Sequence, residues 1–144
     1  MVASDGKNVE ELKKSKIVKG HFSLIKKGDW REEQSKAGFL KMFLVENQRH
    51  GTKTLGVGKV ILQPGEVIPE HRSPAEEVYV VLEGKGTLGV EGTEYAVEEG
   101  DVLYRKEDVW HGPHRNTGDK PFVLLTIVGP ALKPCELGEM KFKD

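Results

Sequence analysis

From Phe39 to Val128 the chain reads as short apolar runs, each broken after a few residues by Gly, Pro, Asn or Asp. The runs lie at 39–45, 55–62, 67–71, 77–82, 87–90, 94–97, 102–104, 109–111 and 122–128. Many alternate apolar with polar residues or are rich in β-branched side chains, which is the pattern of half-buried strands. The breaks include Gln63-Pro64-Gly65, Glu83-Gly84-Lys85-Gly86, Glu91-Gly92-Thr93, Glu98-Glu99-Gly100-Asp101 and Asn116-Thr117-Gly118-Asp119. Each supplies a turn residue, most often a glycine with access to positive φ. Strands at this spacing, with no long amphipathic helix between them, point to an all-β sandwich or barrel.

The rest of the chain adds less. Residues 1–36 are polar and net +3, and read as an N-terminal arm in which Asn8 and Glu11 could cap a short helix. Residues 26–38 are charged and read as a loop or short helix. The barrel is expected over 37–130, with an unassigned tail at 131–144. A length of 144 residues suits one domain with a core of its own. Cys135 is alone, so no disulfide forms within the chain. The start Met-Val-Ala-Ser-Asp lacks the basic-then-apolar pattern of a signal segment, and the apolar runs at 78–82 and 122–128 are far shorter than a membrane span. A cytoplasmic protein without membrane contact is expected. The overall net charge is −1, while residues 65–108 carry four Lys/Arg against twelve Asp/Glu, a net of −8. An acidic centre with no basic stripe argues against nucleic acid as a partner.

Three polar residues sit on or beside apolar strands: His71, Glu77 and His111. His71 and Glu77 flank the turn Arg72-Ser73-Pro74-Ala75-Glu76, so two strands can aim both side chains into one cavity. Two imidazoles and a carboxylate form a ligand set for a divalent transition metal that leaves positions open for water, oxygen or a bidentate substrate. Spacing alone equally allows hydrogen-bonded structural histidines. No other site class competes: there is no Gly-x-Ser-x-Gly elbow, no phosphate-cradling loop before a helix and no cysteine pair for zinc.

The surrounding residues carry a resemblance. Gly65, His71, Glu77 and Gly84 fall at the spacing of the first motif of the cupin superfamily, and Gly100-Asp101 through His111 resembles the second. Asn116-Thr117-Gly118-Asp119-Lys120-Pro121 resembles the turn that follows it in that family. The resemblance spans about residues 55–130. It implies a double-stranded β-helix, the jelly-roll barrel, with a short N-terminal extension. It also implies that His71, Glu77 and His111 line one end of the barrel and hold Fe, Mn, Ni or Zn. Small cupins of this kind commonly form homodimers, and residues 39–45 are a candidate for strand exchange.

The sequence departs from the pattern in three places. Ser73 replaces the second histidine of the first motif, and a hydroxyl is a poor metal ligand at neutral pH. Lys106 and Asp108 stand where the second motif has Pro and Gly. One extra residue lies between His111 and Asn116, and it leaves His114 two places: inward as a substitute ligand, or outward to solvent, the second being favoured. Family spacing selects Glu77 over Glu76 as the inward carboxylate, and strand alternation then puts Tyr79 on the same face. Tyr79, Tyr104 and Trp110 are candidates to line the pocket or to pack. Arg72 should face away from it, which leaves Arg105 as the better candidate to meet an anionic substrate. His21 and His50 lie outside the motifs. The expected function is a metal-dependent enzyme acting on a small polar metabolite, of dioxygenase, decarboxylase, lyase or isomerase type, with no catalytic residue assigned. The alternative is a non-catalytic cupin that binds a small sugar or acid and has lost its metal. A storage role fits less well, because storage cupins resemble two-barrel chains.

Overall fold

A computed structural model describes residues 31–34, 40–131 and 141–142. The strands are β1 (Arg31–Gln34), β2 (Leu40–Val45), β3 (Gly56–Leu62), β4 (Val67–Ile68), β5 (His71–Arg72), β6 (Glu76–Glu83), β7 (Lys85–Val90), β8 (Thr93–Glu98), β9 (Val102–Arg105), β10 (Trp110–Asn116), β11 (Phe122–Gly129) and β12 (Lys141–Phe142). One turn of helix, α1 (Asn47–His50), follows β2 and ends at Gly51 in the left-handed conformation. Among the described residues no helix is long and apolar enough to cross a membrane.

The strands form two antiparallel sheets. One runs β1-β2-β3-β11-β6-β9, and the other runs β12-β5-β10-β7-β8 with β4 paired to β10. This is the double-stranded β-helix that the sequence suggested. Its main core lies between the sheets and joins Val60, Leu62, Phe122 and Leu124 of β3 and β11 to Tyr79 and Val81 of β6, Ile68 of β4 and Leu88 of β7. The alternation on β6 shows why: Glu77, Tyr79 and Val81 are buried, whereas Glu76 and Glu83 are exposed, as expected of a strand with one face on the core.

Several boundaries differ from the sequence reading. The stretch 67–71 is two short strands, because Pro69 has no N–H to give to the ladder. The run at 109–111 continues to Asn116, through Gly112-Pro113. Residues 31–34, read as loop or helix, are a strand paired with β2, so the sheet takes in residues ahead of 37. In the tail, β12 pairs with β5. The short helix proposed at Asn8–Leu12 lies outside the described residues.

Candidate functional site

β5 and β10 are antiparallel neighbours with His71 directly opposite His111. Directly opposed residues share one face of a sheet at close range, and the two imidazole centroids are 4.0 Å apart with 62° between the planes. Both rings are buried, His111 to 1% exposure.

Backbone carbonyls set the tautomer of both. His71 Nδ1–H donates to Pro69 O at 2.8 Å, and His111 Nδ1–H donates to Val109 O at 3.0 Å. A carbonyl only accepts, so each Nδ1 carries the proton and each Nε2 keeps its lone pair. This is the form in which imidazole ligates a metal. Burial disfavours the cationic ring and lowers the pKa of His71, opposed by the Pro69 hydrogen bond and the Glu77 charge. His111 is pushed down to about 2, first by burial and then by the charges of His71 and Arg105. Both rings are therefore neutral at pH 7.

His114 completes the cluster, contrary to the favoured solvent-facing reading. In a regular strand, residues 111 and 114 point to opposite faces. The pairing of β10 with β7 shifts register between His111 and His114, and Gly112 has φ +99°. This bulge absorbs the extra residue, so that His111, His114 and Asn116 are all buried. The strands come close enough there that a Cβ on Gly89 would overlap Gly112 O, and one on Gly112 would crowd Pro69 O and Glu70 Cα. The His114 ring centroid lies 6.0 Å from His71, 6.0 Å from His111 and 5.4 Å from Tyr79. Its hydrogen bonding is the reverse of theirs. Gly89 N–H donates to His114 Nδ1 at 3.2 Å, and buried Nε2 has no hydrogen-bond partner. Burial, then the charges of His71 and Arg105, lowers its pKa to about 3.

Glu77 faces inward, whereas Glu76 is exposed and accepts a hydrogen bond from Tyr104 OH at 2.8 Å. Tyr104 thus lies on the outer surface. Glu77 meets a buried cation, with Arg105 Nη2 3.6 Å from its Oε2. The same guanidinium donates from Nε to Tyr79 OH at 3.3 Å, from Nη1 to Ala75 O at 2.6 Å and Lys106 O at 3.2 Å, and from Nη2 to Ser73 Oγ at 3.2 Å. A guanidinium has five N–H groups; four hydrogen bonds to protein acceptors and the ion pair with Glu77 surround this one. Arg105, 2% exposed, is thus engaged by groups of the protein itself. Ser73 is buried as one of its partners. Tyr79 belongs to the core, and burial, followed by the Glu77 charge, raises its pKa well above the usual tyrosine value.

The remaining candidates lie elsewhere. Arg72 stacks over Trp110 at 5.4 Å. His50 sits in α1, where its Nδ1 accepts from Glu46 N–H at 3.0 Å. His21 lies outside the described residues. Sequence reasoning missed the Arg105 contacts and the Gly89 contact to His114. The Gly112-Pro113 pair inside a strand is the signal for the second, since such residues mark bulges.

Among the described residues no group of three or more His, Cys, Asp or Glu side chains is closed around one metal position. Glu77 lies beside Arg105, and Nε2 of a neutral His114 bears the ring's proton, since Nδ1 accepts from Gly89 N–H. His71 and His111 nonetheless suit a metal in tautomer and charge, and the carboxylate of Glu77 has a second oxygen besides the one that faces Arg105.

Comparison with known proteins places these observations. The family model for the cupin domain matches residues 58–128. A gentisate 1,2-dioxygenase from Ralstonia sp is 27% identical over 95 residues, covering 61% of this chain and 26% of that protein. A 5-nitrosalicylic acid 1,2-dioxygenase from Bradyrhizobium sp is 32% identical over 87 residues, covering 56% of this chain and 42% of that protein. The chain thus spans less than half the length of these curated relatives. The crystal structure of an RmlC-like cupin from Shewanella frigidimarina has a TM-score of 0.62 at 22% identity, covering 80% of this chain and 95% of that one, and so shares the fold.

Proposed function

Because this chain belongs to the cupin family through residues 58–128, we propose that it is a metal-dependent enzyme acting on a small polar metabolite. The observation that carries the reading is the His71–His111 pair. Two buried, neutral imidazoles stand face to edge at 4.0 Å, and a backbone carbonyl holds each with the Nε2 lone pair unprotonated. Glu77 is the third ligand, with Arg105 fixing one of its oxygens. A divalent Fe, Mn, Ni or Zn ion held there would act as a Lewis acid or an oxygen-activating centre. The chain's own part is to bind and orient. Pro69 O and Val109 O lock the two rings, Arg105 fixes Glu77, and the core residues around them exclude water. The likeness to dioxygenases of gentisate and 5-nitrosalicylic acid supports a small hydroxy acid as the substrate class.

A second reading, a binding module without metal, is favoured by the Arg105–Glu77 ion pair, which already balances the buried carboxylate. Elemental analysis separates the two. Protein incubated with Fe(II), Mn(II), Ni(II) or Zn(II) and then desalted should retain about one equivalent of metal, and His71→Ala and His111→Ala should each abolish retention. Wild-type protein that takes up none of the four supports the binding module instead.

A further inference from the structure

An antiparallel sheet with one solvated face alternates apolar with polar residues. The outer face of the first sheet does not. With Glu77, Tyr79 and Val81 of β6 turned inward, Val78 points out. Cross-strand pairing sets Tyr104 of β9 on one side of Val78 and Ile127 of β11 on the other, and paired residues share a face. In the next row Glu76 lies opposite Gly129, and Leu55 stands immediately ahead of β3. Leu55 and Tyr104 are 56% and 54% exposed, large apolar side chains with no place in the core. Such side chains gathered on one face mark a site of contact.

Between them runs a groove of about 500 Å³, with Val78, Ile127 and Gly129 among its lining residues. That size is ordinary for a small organic ligand. Gly129 has no side chain, which leaves a notch in the groove. The point where a Cβ would stand on Gly129 lies 3.1 Å from Thr54 O and 3.9 Å from Glu76 Oε1. Both atoms are acceptors. The other oxygen of that carboxylate, Oε2, accepts from Tyr104 OH at 2.8 Å, so the phenol holds Glu76 in place. Among the described residues that line the groove there is no Lys, Arg or His. Glu77 also lines it, but its carboxylate is the one beside Arg105.

We propose that this groove binds a small organic cation, an ammonium group carried on an apolar body. The ammonium N–H groups donate to Glu76 Oε1 and Thr54 O at the notch, and the body lies on Val78 and Ile127 between Leu55 and the Tyr104 ring. An ammonium has donors and no acceptor, which complements the two acceptors beside Gly129. The tyrosine ring adds its attraction for a cation. The surrounding field has the same sign, since residues 65–108 carry a net charge of −8. An anion would meet the Glu76 carboxylate with no cation in the lining to offset it. The groove lies on the outside of the barrel, so the proposal is independent of the metal-site reading.

The test titrates the ¹⁵N-labelled full chain with phenethylammonium chloride at pH 7.5 and follows the backbone amide spectrum. Saturable shifts are expected at Leu55, Glu76, Val78 and Gly129. Phenethyl alcohol, the same body without the charge, should bind about tenfold more weakly, the loss of one charge-assisted hydrogen bond. Glu76→Gln should weaken binding of the amine by about the same factor, and because Glu76 is exposed the variant should keep the fold. Gly129→Ala fills the notch and should also weaken the amine, with amide positions outside the groove unchanged. Absence of saturable shifts, equal affinity for amine and alcohol, or undiminished amine affinity in Glu76→Gln overturns the proposal. Shifts confined to the surroundings of His71 and His111 would place the amine inside the barrel and overturn it as well. Val102 is 66% exposed on the same face. A chain that sediments as a dimer and becomes monomeric in Val102→Glu would make a second copy the occupant of this face, and the amine site would fall.

Discussion

Ser73 stands where the resemblance has a second histidine, and Arg105 reaches it across the sheet, Nη2 lying 3.2 Å from Ser73 Oγ. Ser73 gives up the role of ligand, and its hydroxyl instead accepts one of the five guanidinium protons. The cation is buried together with Glu77, the side chains being 1% and 9% exposed. Removing one partner of a buried pair leaves the other without compensation. Arg105→Met is therefore expected to lower stability by about 3–5 kcal/mol in urea unfolding. Much of that loss should be absent when Glu77 is already Gln, because residues in one network do not act additively. Equal costs of Arg105→Met in the two backgrounds would show that the pair is not coupled. The sequence supplied Glu77 through family spacing, and strand alternation then put Tyr79 on its face, both local patterns. Arg105 comes from β9, an adjacent strand, and its fit to Ser73, Ala75 and Tyr79 exists only once β6 and β9 are paired.

At the scale of the element, β10 decides what the site contains. Its Gly112 combines a φ of +99° with backbone atoms of Pro69 and Glu70 where a Cβ would go. Gly65 has a comparable φ of +84° but nothing within 4 Å of such a Cβ. The two therefore separate conformational cost from steric cost. Gly65→Ala should cost about 1 kcal/mol, the penalty of a left-handed L-residue. Gly112→Ala should cost about 2 kcal/mol more, because overpacking adds to it, and should disturb His114 in a long-range ¹H–¹⁵N imidazole spectrum. Equal losses at the two sites would mean that the bulge has room to spare. Most of the strands were legible from period and turn residues. The interior of β10 was not, since a bulge breaks the two-residue period on which that reading depends.

The whole molecule keeps three imidazoles uncharged, and this ties its stability to pH. His71, His111 and His114 all have folded-state pKa values below the unfolded value of about 6.5. Between those values the unfolded chain binds protons that the folded chain refuses. Stability is then complete above about pH 6.5 and falls as the pH drops toward 3, by up to about 1.4 kcal/mol per pH unit for each of His111 and His114, with His71 acting in the same direction. Urea midpoints measured from pH 7.5 to 5, before carboxylates titrate appreciably, should fall steadily. His111→Phe should flatten the slope, and an unchanged slope would mean that the buried ring does not control it.

The sequence by itself determined the two-sheet barrel and the family, and it singled out His71, Glu77 and His111. Periodicity, turn chemistry and motif spacing all act between residues close along the chain. The tertiary structure alone decided that His114 turns inward with its proton on Nε2, and that Arg105 closes on Glu77 and Ser73. Both depend on which strands lie side by side and in what register: β7 delivers the Gly89 N–H to β10, and β9 delivers a cation to β6. Cross-strand register is a property of the assembled sheet, and no local pattern in the chain encodes it.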